Sequence, residues 1–218
     1  MNTLFSLEIK TNRLYCNGKA TLIRLIDADS AFALALKDCL SQQEVLKLIR
    51  DFPNEVQIPP VGVIGPKEAT DAQYQCAQTL GHMLASLGFC VICGGRNGSM
   101  EAVCKGVYQA GGKSIALLPG DNWLEANPYV TIPVVTNMGP TRNSLIAQTA
   151  FALIAVGGGY GTLTEMAYGL HYDKAVFATC DAPQIKGARY DTDLETIVTN
   201  ICNILFGDLS FNEPAIAS

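Results

Sequence analysis

An apolar run that passes through a glycine-rich turn into a helical pattern spans residues 153–170, which read LIAVGGGYGTLTEMAYGL. The first four residues have the length of a buried strand, and apolar residues then recur with helical spacing from Leu163 to Leu170. Glycines permit a close backbone approach, and a helix N-terminus attracts anions. The pattern predicts a phosphate cradle formed by Gly157, Gly158, Gly159, Tyr160, Gly161 and Thr162.

A tight strand-to-helix turn is the alternative interpretation of this segment. Four glycines in five positions exceed what such a turn needs, which favours the cradle. The dinucleotide pattern G-x-G-x-x-G, counted from Gly157, fails at Thr162, and no P-loop is present. Glu165 is expected in the first turn of the helix, pointing at the ligand.

Short apolar runs alternate with helical patterns from residue 61 onward, and they predict six strands. This alternation predicts an α/β fold with a doubly wound parallel sheet. A second glycine-rich turn, with Gly94, Gly95 and Arg96, follows the run at 89–93, and Arg142 follows the run at 130–136. All three segments follow strands directly, so we expect them to form one crevice at the carboxyl edge of the sheet.

The first residues have a different pattern. Asn17 and Gly18 separate two strand-like runs and predict a hairpin, and Ser41 with Glu44 predicts a capped helix ending before Pro53. We therefore divide the chain into a small N-terminal α+β module (1–57), a doubly wound ligand-binding domain (58–207) and a C-terminal tail (208–218).

Composition limits the classes of partner. The formal net charge of −5 and the pI of about 5.0 argue against nucleic-acid binding and against an anionic membrane surface. No signal peptide or membrane-spanning run is predicted, so we expect a cytoplasmic protein. The eight cysteines lie mostly in apolar runs with one C-x-x-C, and we interpret them as reduced, buried thiols with no metal site.

Arg142 and Glu165 are the candidate catalytic pair. Arginine holds phosphate or carboxylate through two parallel hydrogen bonds, and a glutamate beside a ribose stabilises an oxocarbenium-like centre or activates water. As a surface cation at a helix start, Arg142 would be mildly unfavourable, which points to an anionic partner. Arg96 and Asn143 are the candidate polar contacts to the ligand.

The residues GGYGTLTE at 158–165 resemble the GGxGTxxE motif of the Lonely Guy (LOG) superfamily, whose members also carry the description lysine decarboxylase. Together with the segment from Gly94, TRNSLIAQTAFALIAVGGGYGTLTE at 141–165 looks closest to the branch containing the molybdenum cofactor carrier proteins. The superfamily is also related to the DNA-processing Smf proteins. The resemblance covers about residues 59–206 and implies a Rossmann-like homodimer or homotetramer that binds a phosphorylated ligand.

Two functions follow from the resemblance. In the enzymes, which release the base from a nucleoside 5′-monophosphate, the catalytic roles fall on Arg142 and Glu165. The alternative is a non-catalytic carrier or sensor of the molybdenum cofactor or a nucleotide; Gly157 and Asn143, where the enzymes usually have proline and lysine, favour it. Phe151 replaces an aspartate of most relatives. Lysine decarboxylation is not expected, because no lysine is predicted at the crevice for a Schiff base. DNA handling is disfavoured by the acidic balance.

Overall fold

The computed structural model describes residues 3–208, so most of the predicted C-terminal tail lies outside the described residues. The strands are β1 Phe5–Glu8, β2 Arg13–Cys16, β3 Lys19–Leu25, β4 Val56–Gln57, β5 Val61–Ile64, β6 Val91–Cys93, β7 Ser114–Leu118, β8 Ile132–Val135, β9 Ala152–Val156, β10 Ala175–Thr179 and β11 Arg189–Tyr190. The α-helices are α1 Ala31–Leu36, α2 Gln42–Asp51, α3 Asp71–Ser86, α4 Ser99–Gln109, α5 Asn143–Thr149, α6 Tyr160–His171 and α7 Leu194–Leu205.

The larger sheet contains seven parallel strands in the order β11-β10-β9-β5-β6-β7-β8. From β5 the chain moves outward through β6 and β7 to β8, and it then returns to β9 beside β5 and continues to β10 and β11. The order therefore reverses between β5 and β9, where ligands of doubly wound sheets bind. This topology confirms the predicted α/β, Rossmann-like fold. The sequence prediction missed β11, which has only two residues.

Helices cover both faces of this sheet. Helices α3, α4 and α7 contribute apolar side chains to the core on one face, and α5 and α6 pack on the other. The crossover from β7 to β8 carries only a short 3-10 helix, Trp123–Glu125. The edge strand β8 is therefore mostly exposed. Among residues 3–208, no helix has the length and apolar character needed to span a bilayer.

The N-terminal module consists of α1, α2 and a four-stranded sheet in the order β1-β2-β3-β4. The predicted hairpin forms, with Asn17 and Gly18 both at positive φ, and the capping box of Ser41 and Glu44 is present. The strand β4 was not predicted. The module packs on the second domain through a continuous apolar core, in which the rings of Phe5 and Phe206 lie 6.1 Å apart.

Candidate functional site

A cleft of about 490 Å³ opens at the carboxyl ends of β5, β6, β7 and β9, beside the point where the strand order reverses. Four separate loops and the start of α6 contribute to its wall. The lining residues are Gly65, Pro66, Lys67, Arg96, Met100, Pro119, Pro140, Arg142, Asn143, Gly159, Gly161, Thr162 and Glu165. The predicted convergence of the glycine-rich turns and the Arg142 segment therefore occurs.

The helix α6 begins inside the glycine motif, at Tyr160, and the Leu163 N–H donates to the Gly159 carbonyl at 2.9 Å. The expectation that Glu165 lies in the first helical turn is therefore wrong, because three motif residues are already helical and Glu165 falls in the second turn. No side chain caps the N-terminus. Its N–H groups are therefore available to an anion.

Two kinds of glycine occur in this motif. Gly158 has φ +134°, and a Cβ there would collide with Thr162, so no other residue fits the turn. A Cβ at Gly159 or Gly161 would meet no atom within 4 Å, so both positions face open space in the cleft. The first glycine shapes the cradle, and the other two leave room inside it.

Arg142 ends a 3-10 turn, Gly139–Arg142, immediately before α5, and its side chain is buried under the cleft. Its Nε donates to the Leu117 carbonyl at 2.7 Å, Nη2 donates to the Gly94 carbonyl at 3.3 Å, and Nη1 donates to Asn143 Oδ1. A Cβ at Gly94 would lie 2.5 Å from Nη2, so the glycine makes room for the guanidinium. Arg142 is held rigidly by backbone carbonyls of two strand ends.

Glu165 lies opposite Arg142, with Oε1 3.8 Å from Nη1. This separation is too long for a hydrogen bond, and the residue is only 6% exposed. Burial raises the pKa of Glu165 to about 8, although the Arg142 charge acts in the opposite direction. Burial also lowers the pKa of Arg142, against the effect of Glu165. At neutral pH the site contains a fixed cation and a mostly protonated carboxyl group.

Arg96 faces the same cleft from the first glycine-rich turn, and its Nη1 pairs with Glu125 Oε2 at 2.8 Å. Asn127 supports this glycine-rich turn through hydrogen bonds to its backbone. Its Nδ2 donates to the carbonyls of Gly95 and Arg96, both at 3.1 Å, and its N–H donates to the Gly95 carbonyl at 2.9 Å. Asn127 is buried, and no sequence pattern indicates its role because it lies in an irregular loop.

Lys67, which the sequence prediction missed, lies in the loop after β5 and also lines the cleft. The prediction that no lysine lies at the crevice is therefore wrong. Parallel pairing brings the end of β5 beside the end of β9, and this places Lys67 close to α6. The loop has no repeated glycines, and the only sign was that it follows a strand. Lys67 joins Arg96 and Arg142 as a third cation against the single lining carboxyl, Glu165.

The predicted site residues divide into two groups. Those that line the cleft are Arg96, Arg142, Asn143, Gly159, Gly161, Thr162 and Glu165, and those outside the lining are Gly94, Gly95, Gly157, Gly158 and Tyr160. Tyr160 is 91% exposed. Phe151 precedes β9 at the opposite edge of the sheet, where its ring lies 6.1 Å from that of Phe89. Phe151 is therefore a core residue away from the cleft.

Known proteins match the larger domain. The SLOG cluster4 family matches residues 59–201. An uncharacterized protein of Archaeoglobus fulgidus is 37% identical over 148 residues, which cover 67% of this chain and 96% of that protein. The molybdenum cofactor binding protein of Rippkaea orientalis is 32% identical over 68% of this chain and 87% of its own, with a TM-score of 0.56. The molybdenum cofactor carrier protein of Chlamydomonas reinhardtii is 30% identical over 68% of this chain and 99% of its own, with a TM-score of 0.63.

Proposed function

Because this chain belongs to the SLOG cluster4 family, we propose that its cleft binds a phosphorylated small molecule and that the molybdenum cofactor is its cargo. The observation that carries the proposal is the excess of positive charge. Lys67, Arg96 and Arg142 line the same cleft as the uncapped N-terminus of α6. Against these three cations stand Glu125, which is paired with Arg96 from outside the lining, and one lining carboxyl, whose pKa is raised to about 8. Such a site favours an anion with several oxygens.

The residues present fit the molybdenum cofactor as cargo. Its phosphate would interact with the N–H groups at the start of α6 and with Arg96 and Lys67. The open space in front of Gly159 and Gly161 is available for the rest of the molecule. Similarity to two molybdenum cofactor proteins at 30% and 32% identity supports this choice over other phosphorylated ligands.

Gly159→Val tests the cradle with little risk to the fold. Gly159 has φ −136°, a value that any residue adopts, and a Cβ there meets no atom. The valine should therefore fill the cleft and reduce the affinity for AMP and for purified molybdenum cofactor at least tenfold. Ala167→Val, at an exposed position further along α6, is the matched control and should bind as wild type does. Unaltered affinity for both ligands in Gly159→Val would refute the proposal.

A phosphoribohydrolase is the second candidate function, and the Arg142–Glu165 pair favours it. A buried carboxyl with a pKa of about 8 carries a proton at neutral pH, so Glu165 would protonate the leaving base as the C1′–N bond breaks while Arg142 holds an oxygen of the ligand. Water would then form the new bond to C1′, and the proton it loses would restore the Glu165 carboxyl. Base release from a panel of nucleoside 5′-monophosphates, with Glu165→Gln as the control, separates the two candidates. Release that the variant loses establishes the hydrolase, and tight binding without release supports the carrier.

We also propose that the protein forms a homo-oligomer through the edge of the sheet at β8. Neither face of this edge is covered by a helix, and residues 126–141 contain no charged side chain. The exposed apolar side chains of this region leave roughly 500 Å² in water, which approaches what one partner buries in a standard dimer. They are Trp123, Leu124, Ile132, Val134, Val135 and Met138.

A second copy matches this surface because residues 126–141 bring no charged side chain into the contact. Of the two carboxylates near Trp123 and Leu124, Glu125 is already paired with Arg96, and Asp121 lies at the exposed margin of the patch. Val134→Lys should convert the oligomer to a monomer, measured by light scattering during size-exclusion chromatography. Leu34→Lys, at an exposed position of α1, is the control and should keep the wild-type mass. A monomeric wild-type protein would refute the proposal.

A further inference from the structure

Arg96 differs from the other arginine of the cleft in how it is held. Arg142 is buried and donates to two backbone carbonyls and to Asn143, so it has no freedom to change partners. Arg96 is paired with Glu125, and the two side chains are 32% and 37% exposed. A half-exposed ion pair contributes little net stability and exchanges partners readily. Glu125 itself lies outside the cleft lining, so it contacts the cleft through Arg96.

The structure of the loop around Glu125 keeps its carboxylate beside Arg96. Glu125 ends the 3-10 helix that Asn122 caps, with Asn122 Oδ1 accepting from the Leu124 N–H at 3.0 Å. A Cβ at Gly120 would lie 3.0 and 3.1 Å from the two carboxylate oxygens, so the glycine leaves the space that they occupy. Two residues further on, Asn127 fixes the loop to the Arg96 backbone. Arg96 and Glu125 therefore lie on two loops that Asn127 joins by hydrogen bonds.

The charge of Arg96 also acts on its neighbour. Burial lowers the pKa of Arg142 most strongly, and repulsion from Arg96 adds to the lowering. A counter-ion on Arg96 relieves this repulsion while the cleft holds no anion. A bound phosphate would supply the same negative charge, and the Glu125 carboxylate would then repel it.

We propose that Glu125 is an internal counter-ion that occupies Arg96 in the free protein and is displaced by the anionic group of the ligand. This inference rests on the proposed function of the cleft, and it explains what sets the affinity for the ligand. Because the anion must displace a carboxylate, binding is weakened and release is favoured. Binding that is weakened in this way suits a carrier, which must release its ligand to a recipient.

The test measures binding of inorganic phosphate and of AMP by isothermal titration calorimetry. Glu125→Gln removes the competing charge and keeps the shape of the side chain, so both ligands should bind about three- to tenfold more tightly. Asp121→Asn is the matched control, because it removes one negative charge from the same loop without contacting Arg96. It should leave both affinities within twofold of wild type.

The double variant Arg96→Gln/Glu125→Gln separates a local effect from a general one. If Glu125 acts mainly by occupying Arg96, Glu125→Gln should tighten binding much less in the Arg96→Gln background than in wild type. Weaker or unchanged binding in Glu125→Gln, with binding by wild type, would overturn this inference and leave the proposed function standing. Absence of phosphate and AMP binding in both wild type and Glu125→Gln would overturn both.

Discussion

The buried carboxyl of Glu165 makes the stability of the protein depend on pH in a defined direction. Its pKa rises from 4.5 to about 8 because burial disfavours the charged form more than Arg142 favours it. Below pH 4.5 the group is protonated in both the folded and the unfolded chain. Between these values the unfolded chain loses the proton and the folded protein keeps it, so the free energy of unfolding falls as pH rises.

The size of this effect follows from the shift. A rise from 4.5 to about 8 corresponds to roughly 5 kcal/mol at full ionisation, with a slope of about 1.4 kcal/mol per pH unit. Glu165→Gln keeps the shape of the protonated side chain and does not titrate. The variant should match wild type near pH 4.5 and be more stable by several kcal/mol at pH 9.

Urea unfolding of both proteins at unit steps from pH 4.5 to 9, in phosphate-free buffer, measures this difference directly. Subtracting the two curves removes the contribution of the other titrating groups. Glu68→Gln, which removes an exposed carboxylate from the loop before α3, should follow wild type at every pH. Parallel curves for wild type and Glu165→Gln would refute the reasoning, because they would mean that Glu165 is ionised in the folded protein at neutral pH.

Three further predictions concern contacts that support the cleft and the fold. Asn127→Ala removes three side-chain hydrogen bonds, two to the carbonyls of Gly95 and Arg96 and one accepted from the Tyr129 N–H, and should lower the free energy of urea unfolding by about 2–3 kcal/mol while weakening phosphate binding; an unchanged phosphate affinity would contradict its supporting role. Gly106→Ala places a methyl group against the Gln78 carbonyl, where α3 and α4 pack closely, and should lower the melting temperature, whereas Gly161→Ala, facing open space, should preserve or raise it; the reverse order would be inconsistent with the packing. Ser41→Ala removes the cap of α2 and should cost about 1 kcal/mol in urea unfolding, and a cost near zero would argue against the capping box.

The fold was predictable because most strands of the larger sheet are uninterrupted apolar runs and several of the turns after them contain glycine. The run before Gly157 is a central strand with every residue buried, which leaves little choice of structure. The strands β4 and β11 escaped prediction because each has two residues, and their pairing is decided by the neighbouring strand. In a strand of two residues, the β-propensity of the residues does not identify the strand.

The site was only partly predictable. Glu165 was predicted at the cleft because it follows a glycine-rich motif, and Arg142 because it is a cation at a helix start after a predicted strand. Lys67 was missed because it lies in a loop with neither a glycine-rich motif nor a predicted helix start at the lysine. The hydrogen bonds that hold Arg142 join residues distant in sequence, including Leu117 and Gly94. The raised pKa of Glu165 depends on burial that only the packed structure creates. A sequence pattern thus located the edge of the sheet, and tertiary packing determined the chemistry there.

The contact between the N-terminal module and α7 has a consequence for the larger domain. The relatives have 87–99% of their own length within the matched region, whereas this chain carries a further sheet that rests on the end of α7. Phe206 packs against Phe5, and a Cβ at Gly207 would lie 2.6 Å from the Ala20 carbonyl. Without this sheet, the apolar end of α7 would be exposed to water. The N-terminal sheet is therefore part of the hydrophobic core that α7 needs in this chain.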